Sequence, residues 1–485
     1  MRLTSFFTLA ASAVLITGCV NLAPEHTRPE PAVGPAFEAL LAPDGTAVAA
    51  EIPYDQWFVD PQLVTLLGTA VESNRDLMAA TARIEQARAR YRIQDARRLP
   101  EVVANGSATR TRQALTDGTA LGQAGDGQQF PNSITFNRFQ VGVGVSAFEL
   151  DFWGRIANLS EAARAEYLAT IAAQRAFYLS LVADVATTYY EIVETREQIA
   201  LAEATAESRS EALRIARLRL DQGVTSALPY RQAETLLTQA QQQLSSERLA
   251  LAQLRNQLTV LVGGRLPENL PEGYDLARQG NGRRLDASVP STVLLVRPDI
   301  IAAEEQLRSA RANIGAARAA FFPSISLTGN AGLTSNDLGG LFGPDGFGWT
   351  FGPSISLPIF DAGARRADLD LAQALEVEQV ANYDRTVQTA FREVADALAG
   401  RVYLTEQIDT LERAVAAQER IARIARLRYR EGVADYLEVL DAERNLFSAR
   451  QQLLTTRRAA LQNSATLYVA LGGGEGAART DAQAD

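Results

Sequence analysis

The chain has 485 residues, a net charge of −10 at neutral pH, one histidine and one cysteine. That inventory leaves no His/Cys metal cluster to build and argues against a paired nucleophile and base, so no enzymatic chemistry, metal site or cofactor is expected. The acidic balance disfavours nucleic acid as a partner, and two methionines, Met1 and Met78, are too few for a methionine-lined metal path.

Residues 1–18 read as a secretory signal peptide. Arg2 supplies the positive start and Phe6 to Ile16 a short apolar run, too short to span a bilayer. It ends in Ile16-Thr17-Gly18-Cys19, which resembles the lipobox of bacterial lipoproteins. Cys19 is therefore the expected lipidation site and the first mature residue, with Val20 after it favouring outer-membrane sorting. A covalent lipid there would be the only non-protein group. His26 follows in a Pro-rich stretch, and 19–60 is read as one N-terminal segment.

From residue 61 the chain repeats itself. A helix is predicted over about 61–98, ended by Leu99-Pro100, and another over about 298–321, ended before Pro323. Two strand-like segments follow each. In the first copy these are a weak one at about 102–111 and a clear one in which Phe139, Val141, Val143, Val145 and Ala147 alternate with Gln140, Gly142, Gly144 and Ser146. In the second copy Ile325 and Leu327, then Ile355 and Leu357, alternate with serines and threonine. Runs of about ten residues with one apolar and one small-polar face suit membrane barrel strands. A soluble half-buried sheet gives the same alternation; the lipid anchor and the lack of segments to cover a sheet favour the membrane.

Long helical hairpins come next. Ile171, Tyr178, Val185, Ile192 and Ile199 are seven apart, and Val380, Val387, Val394, Ile408 and Val415 keep the same phase; Tyr230 to Leu258 and Val439 to Leu467 mark the return helices. Sustained heptads mean helices packed at shallow angles. Residues 155–222 and 364–431 lack proline, so each could run about 100 Å at ~1.5 Å per residue. The turns fall at Gly223-Val224 and Gly432-Val433. A coiled-coil rod would explain these helices but not the strands.

The two copies align at an offset that pairs 217–237 with 426–446: Arg217, Arg219, Gly223, Val224, Leu228, Ala233, Glu234 and Leu237 all recur. Upstream, Asp76 and Pro100 pair with Asp299 and Pro323 at a larger offset, so the first copy holds extra residues, placed in the Gly/Gln/Asp-rich stretch 113–129 and read as an exposed loop. The expected organisation is repeat 1 over 61–264, a linker over 265–297, repeat 2 over 298–471, and a disordered tail over 472–485.

Four strands cannot close a barrel, and lipid does not tolerate open sheet edges. The barrel would therefore be shared: three chains supply twelve strands, and their hairpins a tube of twelve helices. The fold class expected is an α+β membrane protein, a homotrimer with a shared 12-stranded β-barrel on a long α-helical barrel, built by internal duplication.

The chain resembles the outer-membrane factor family, the TolC- and OprM-like exit ducts of efflux pumps and secretion systems, and most of all its lipoprotein, RND-associated branch of the NodT type. The residues that carry this are Cys19 with Pro24 to Pro29, Trp57 to Leu63, Asn74 to Leu77, Phe152 to Arg155, Val296 to Ile300 and the run Tyr429 to Asp441. The resemblance implies a periplasmic helical barrel with an equatorial belt from roughly 37–60, 265–297 and 455–472, and passive conduction of small molecules. It implies a periplasmic adaptor, an inner-membrane RND transporter and outer-membrane lipid as partners. It also implies a channel gate at Tyr429, Glu438 and Asp441, with adaptor contacts at Gly223, Val224, Gly432 and Val433. Glu438 and Asp441 are three apart on one helix face, so threefold symmetry would stack them as acidic rings that favour cations. Better-known members carry a basic residue where Ala434 stands and an acidic one where Pro229 stands; that salt-bridge lock is absent, and Asp221, Arg426 or Arg430 would have to substitute. Type I secretion is the alternative within the family. A structural coiled-coil lipoprotein or a periplasmic adaptor are alternatives outside it, though an adaptor has one hairpin rather than two.

Overall fold

The computed structural model describes residues 21–29, 52–114, 133–279 and 296–473. Cys19, the signal peptide, most of the 113–129 loop and nearly all of the expected tail lie outside these residues.

The elements follow in order α1 (Tyr54–Trp57), α2 (Pro61–Ser73), α3 (Arg75–Ala96), β1 (Val102–Ala114), β2 (Ser133–Leu150), α4 (Arg155–Asp221) and α5 (Ala227–Leu261). The second copy gives α6 (Pro298–Ala319), β3 (Ser324–Ser335), β4 (Phe347–Ser356), α7 (Ala364–Arg430) and α8 (Tyr436–Ala470). The copies match closely: α4 and α7 have 67 residues each, α5 and α8 have 35.

The predicted helix 61–98 is two helices. Asn74 adopts an extended ψ of 126° and breaks the run. Its Oδ1 accepts from Leu77 N at 2.8 Å, capping α3, while its Nδ2 donates to the Leu261 carbonyl at 2.8 Å. The break costs helical hydrogen bonds but satisfies two backbone groups that the chain ends leave open.

The chain divides into two compact units. The first holds the N-terminal segment to Arg28, Gln86–Tyr167 and Glu305–Val380. Its sheet is antiparallel in the order β1-β2-β3-β4, so among the described residues β1 and β4 are open edges. In the middle of the β2–β3 pairing, Gly142 faces Gly332: a Cβ on Gly142 would sit 2.8 Å from the Ala331 carbonyl oxygen and 2.9 Å from the Gly332 Cα. Only glycine allows that approach. Below the sheet, the Trp153 indole stacks on Phe322 at 4.6 Å and donates to the Pro323 carbonyl at 2.9 Å.

The second unit holds Pro29–Glu85, Leu168–Glu304 and Ala381–Asp485. Its core confirms the heptad phase, with Val185, Ile192, Val387, Val394, Leu258, Leu453 and Leu467 buried. An 18-residue window of α4 reaches a mean hydropathy of 1.2, enough by composition to cross a membrane. Its helix nevertheless places Leu181, Val182, Val185, Ala186 and Tyr189 in this core. At one end of the core, Tyr468 donates to the Ile52 carbonyl at 2.9 Å and packs on Trp57 and Phe58. Asp60, fully buried, collects the Tyr189 hydroxyl at 2.7 Å, the Gln279 amide at 2.6 Å and the Tyr274 N–H at 2.9 Å, and caps α2 through Gln62 N. A polar side chain taken this far out of water needs hydrogen-bond donors in place of its lost hydration.

Candidate functional site

The candidate gate lies where each helical hairpin turns, within the second unit. Both turns end their first helix in the same way. Gly223 and Gly432 have φ of 68° and 74°, the left-handed region that favours glycine. Val224 N donates to the Arg219 carbonyl and Gly223 N to Leu220; Val433 N donates to Arg428 and Gly432 N to Tyr429. These paired bonds close the last open carbonyls of α4 and α7. The cap leaves Val224 and Val433 projecting, 73% and 68% exposed, with Leu228 and Leu437 exposed beside them.

Next to the second turn, Tyr429 and Tyr436 pack at 5.1 Å against a small core of Ala422, Ala425, Val439, Ala442 and Leu446. Burial holds the Tyr436 phenol above its ordinary range, with Glu443 adding to the effect.

Tyr429, Glu438 and Asp441 each meet an arginine. Arg428 pairs with Glu438 at 3.0 Å across its own hairpin, and Arg444 with Asp441 at 3.1 Å along α8. Tyr429 reaches the other hairpin: the Arg219 guanidinium donates to its hydroxyl and lies over its ring at 4.6 Å. The carboxylates are therefore not bare within one chain; each carries a counter-charge. Of the substitutes expected for the missing lock, Arg426 pairs with Glu443 inside the second hairpin at 3.0 Å. Asp221 faces Arg217 on its own helix at 4.0 Å.

Arg219 and Arg428 escaped sequence reasoning as site residues, although Arg219 marked the repeat. The signal was in the same alignment. Arg219 and Arg428 are equivalent, but the partner of Arg428, Glu438, aligns with Pro229 in the first copy. With Pro229 where the second copy has Glu438, Arg219 bonds instead to the Tyr429 hydroxyl of the other hairpin.

The model of the family described as "Outer membrane efflux protein" matches residues 66–264 and 289–473. The solvent efflux pump outer membrane protein SrpC of Pseudomonas putida is 42% identical over 474 residues, covering 97% of this chain and 98% of the relative. The cation efflux system protein CusC of Escherichia coli K12 is 40% identical, covering 95% and 98%. A crystal structure of CusC superposes with a TM-score of 0.82 at 38% identity, over 94% of this chain and 100% of that one. The open state of the MtrE outer membrane channel of Neisseria gonorrhoeae gives 0.82 at 36%, over 94% and 98%.

Proposed function

The chain belongs to the outer membrane efflux protein family, and from that premise we propose that it is the outer-membrane exit duct of a tripartite, RND-type efflux pump. It is an outer-membrane protein with the fold of the CusC and MtrE channels, a family of transport proteins rather than enzymes.

One observation carries the proposal: a four-stranded sheet in which, among the described residues, β1 and β4 each pair on one side only, with a 67-residue helix following each strand pair in sequence. Unpaired edge groups cost several kcal/mol each in lipid, on the order of what a strand pairing supplies, so β1 of one chain pairs with β4 of the next. Three chains close a twelve-stranded barrel wide enough for a lumen. The helices extend the lumen into the periplasm, and a lipid on Cys19 adds a second hold on the membrane.

The duct works by position rather than chemistry. The hairpin tips converge as the narrow point, held by the Arg219–Tyr429 clasp and lined by Glu438 and Asp441. The exposed turns at Gly223, Val224, Gly432 and Val433 receive the adaptor, whose docking draws the hairpins apart and breaks the clasp. With relatives named for solvent and cation efflux, the cargo is small molecules handed over by the inner-membrane transporter.

The test is electrical. The purified full chain in planar bilayers should conduct weakly, and the Glu438→Ala, Asp441→Ala double variant should lose cation preference. Unchanged selectivity in that variant sinks the gate assignment; no conductance in any variant sinks the duct.

A further inference from the structure

The strand register sorts every sheet residue onto one of two faces, because directly paired residues share a side. One face carries Phe139, Val141, Val143 and Val145 of β2 against Ser335, Leu333, Ala331 and Gly329 of β3, then Phe347, Trp349 and Phe351 of β4. It continues downward through Leu327, Ile325 and Ile355. The other face carries Gln140, Gly142, Gly144, Asn330 and Thr350. The first is the lipid face and the second the lumen.

The lipid face has a measurable top. From Ile325 to Ser335 along β3 is ten residue steps, about 33 Å at ~3.3 Å each. At a tilt of roughly 40° this is about 25 Å of height, the thickness of the apolar band of an outer-membrane barrel. Ser335 pairs with Phe139, which pairs with Ala108. One rung higher the face changes character. Arg110 lies opposite Asn137 there, and Arg112 opposite Thr135. The apolar residues of β2 switch sides at the same point, Phe136 and Ile134 pairing with Thr111 and Gln113 on the lumen side. Since the helices attach at the opposite ends of the strands, this boundary faces the cell exterior.

Arg110 and Arg112 thus project from the lipid face just above the hydrocarbon. Glu149 is the single carboxylate within the four described strands, and it is bonded to Arg155 at their helix-proximal end. Arg112 donates to the Ser133 hydroxyl at 3.1 Å, a neutral partner. Arg138 pairs with Thr109 and so faces the lumen. Among the described strand residues no carboxylate joins them, and two arginines side by side at headgroup height form a fork suited to a phosphate, which guanidinium grips bidentately.

We propose that Arg110 and Arg112 form a binding site for the phosphorylated headgroup of an anionic glycolipid in the outer leaflet, fixing a lipid against the outer face of β1. The competing occupant is a carboxylate of an adjoining chain, such as Asp337 or Asp345 of the β3–β4 connection.

Native mass spectrometry of the detergent-extracted full chain tests this with bis-phosphorylated lipid A as probe. Retention should fall at least about tenfold, ~1.4 kcal/mol, in Arg110→Gln/Arg112→Gln, should be partly kept in Arg110→Lys/Arg112→Lys, and should be untouched in Arg138→Gln. Lipid A stripped of phosphate should bind wild type as weakly as the glutamine variant binds the intact lipid. Equal retention by wild type and the glutamine variant overturns the proposal. So does an equal loss in Arg138→Gln, or full competition by inorganic phosphate at the lipid's own concentration. Dissociation of the oligomer in the glutamine variant with lipid retention unchanged also overturns it, in favour of the inter-chain ion pair.

Discussion

Replacing Tyr429 by Phe removes one oxygen from the clasp and leaves the ring beneath the Arg219 guanidinium. A hydrogen bond from a charged donor is worth about 1.5–3 kcal/mol when dry, but the Arg219 contact is exposed, which brings it to about 1 kcal/mol. Three clasps opening together in a trimer sum to about 3 kcal/mol, and at ~1.4 kcal/mol per decade the open-to-closed ratio should rise about a hundredfold. The cation–π contact survives in Tyr429→Phe, while Arg219→Gln loses both interactions and should open further by a smaller step. Single-channel recording in planar bilayers reads the open probability directly, with single-channel conductance showing that the lumen itself is unchanged. An open probability in Tyr429→Phe equal to wild type, with oligomer and conductance intact, would refute the reasoning: closure would then rest on the apolar packing of Ala422, Ala425, Val439 and Tyr436 and not on the polar bridge.

Three further outcomes are expected. Asp60→Ala leaves the Tyr274 N–H without its acceptor, reduces the Tyr189 hydroxyl and Gln279 amide to their second acceptors, Gln62 and the Tyr274 carbonyl, and removes the α2 cap; it should cost about 2–4 kcal/mol, seen as a drop in melting temperature; Asp60→Asn should recover only part, since its amide NH₂ meets donors. Gly142→Val drives a Cβ into the Ala331 and Gly332 backbone and should abolish the heat-resistant oligomer on gels, whereas Gly106→Val, whose nearest contact is the Val141 methyl at 3.9 Å, should assemble. In alkaline titration, burial pushes Tyr178 up to about 12 and raises Tyr189, Tyr190 and Tyr468 as well. Their neutral forms are favoured in the fold, so stability is complete below about pH 10 and is lost as pH climbs through 12 and above. Absorbance at the phenolate band should therefore show these tyrosines ionising only together with loss of helical signal.

Heptad phase and the strand alternation were legible because each rests on one-dimensional spacing: Val185, Ile192, Val387 and Val394 repeat at a fixed interval and end in the same core. The weak first strand was legible in outline, but β1 runs on to Ala114 and β2 starts at Ser133, ahead of its clear alternation. Ile134 and Phe136 sit in the opposite phase from Phe139, so a single-phase reading stops at Phe139. The break at Asn74 was hidden for another reason: its amide is paired with the Leu261 carbonyl, far along the chain, and no local pattern announces such a bond. The candidate gate residues came through resemblance, and their arginine partners only through three-dimensional placement.

The clasp also shows what a duplication gains by becoming uneven. In two identical copies, Arg219 would face a carboxylate at position 229 as Arg428 faces Glu438, and each hairpin would satisfy itself. A proline at 229 removes that acceptor while keeping the helix start, since proline lacks only the N–H that a first turn leaves unused. A tyrosine at 429, where the first copy has Leu220, then supplies an acceptor on the other hairpin. Neither change alone makes the bridge: with Glu at 229 the arginine stays at home, and with Leu at 429 it has nothing to reach. Giving the first copy the carboxylate of the second with Pro229→Glu should accordingly loosen the contact at Tyr429 without touching it, and should raise open probability by about the same factor as Tyr429→Phe. The double variant should add little more, because the two changes remove one interaction; a fully additive effect would mean that Arg219 does not choose between the two partners.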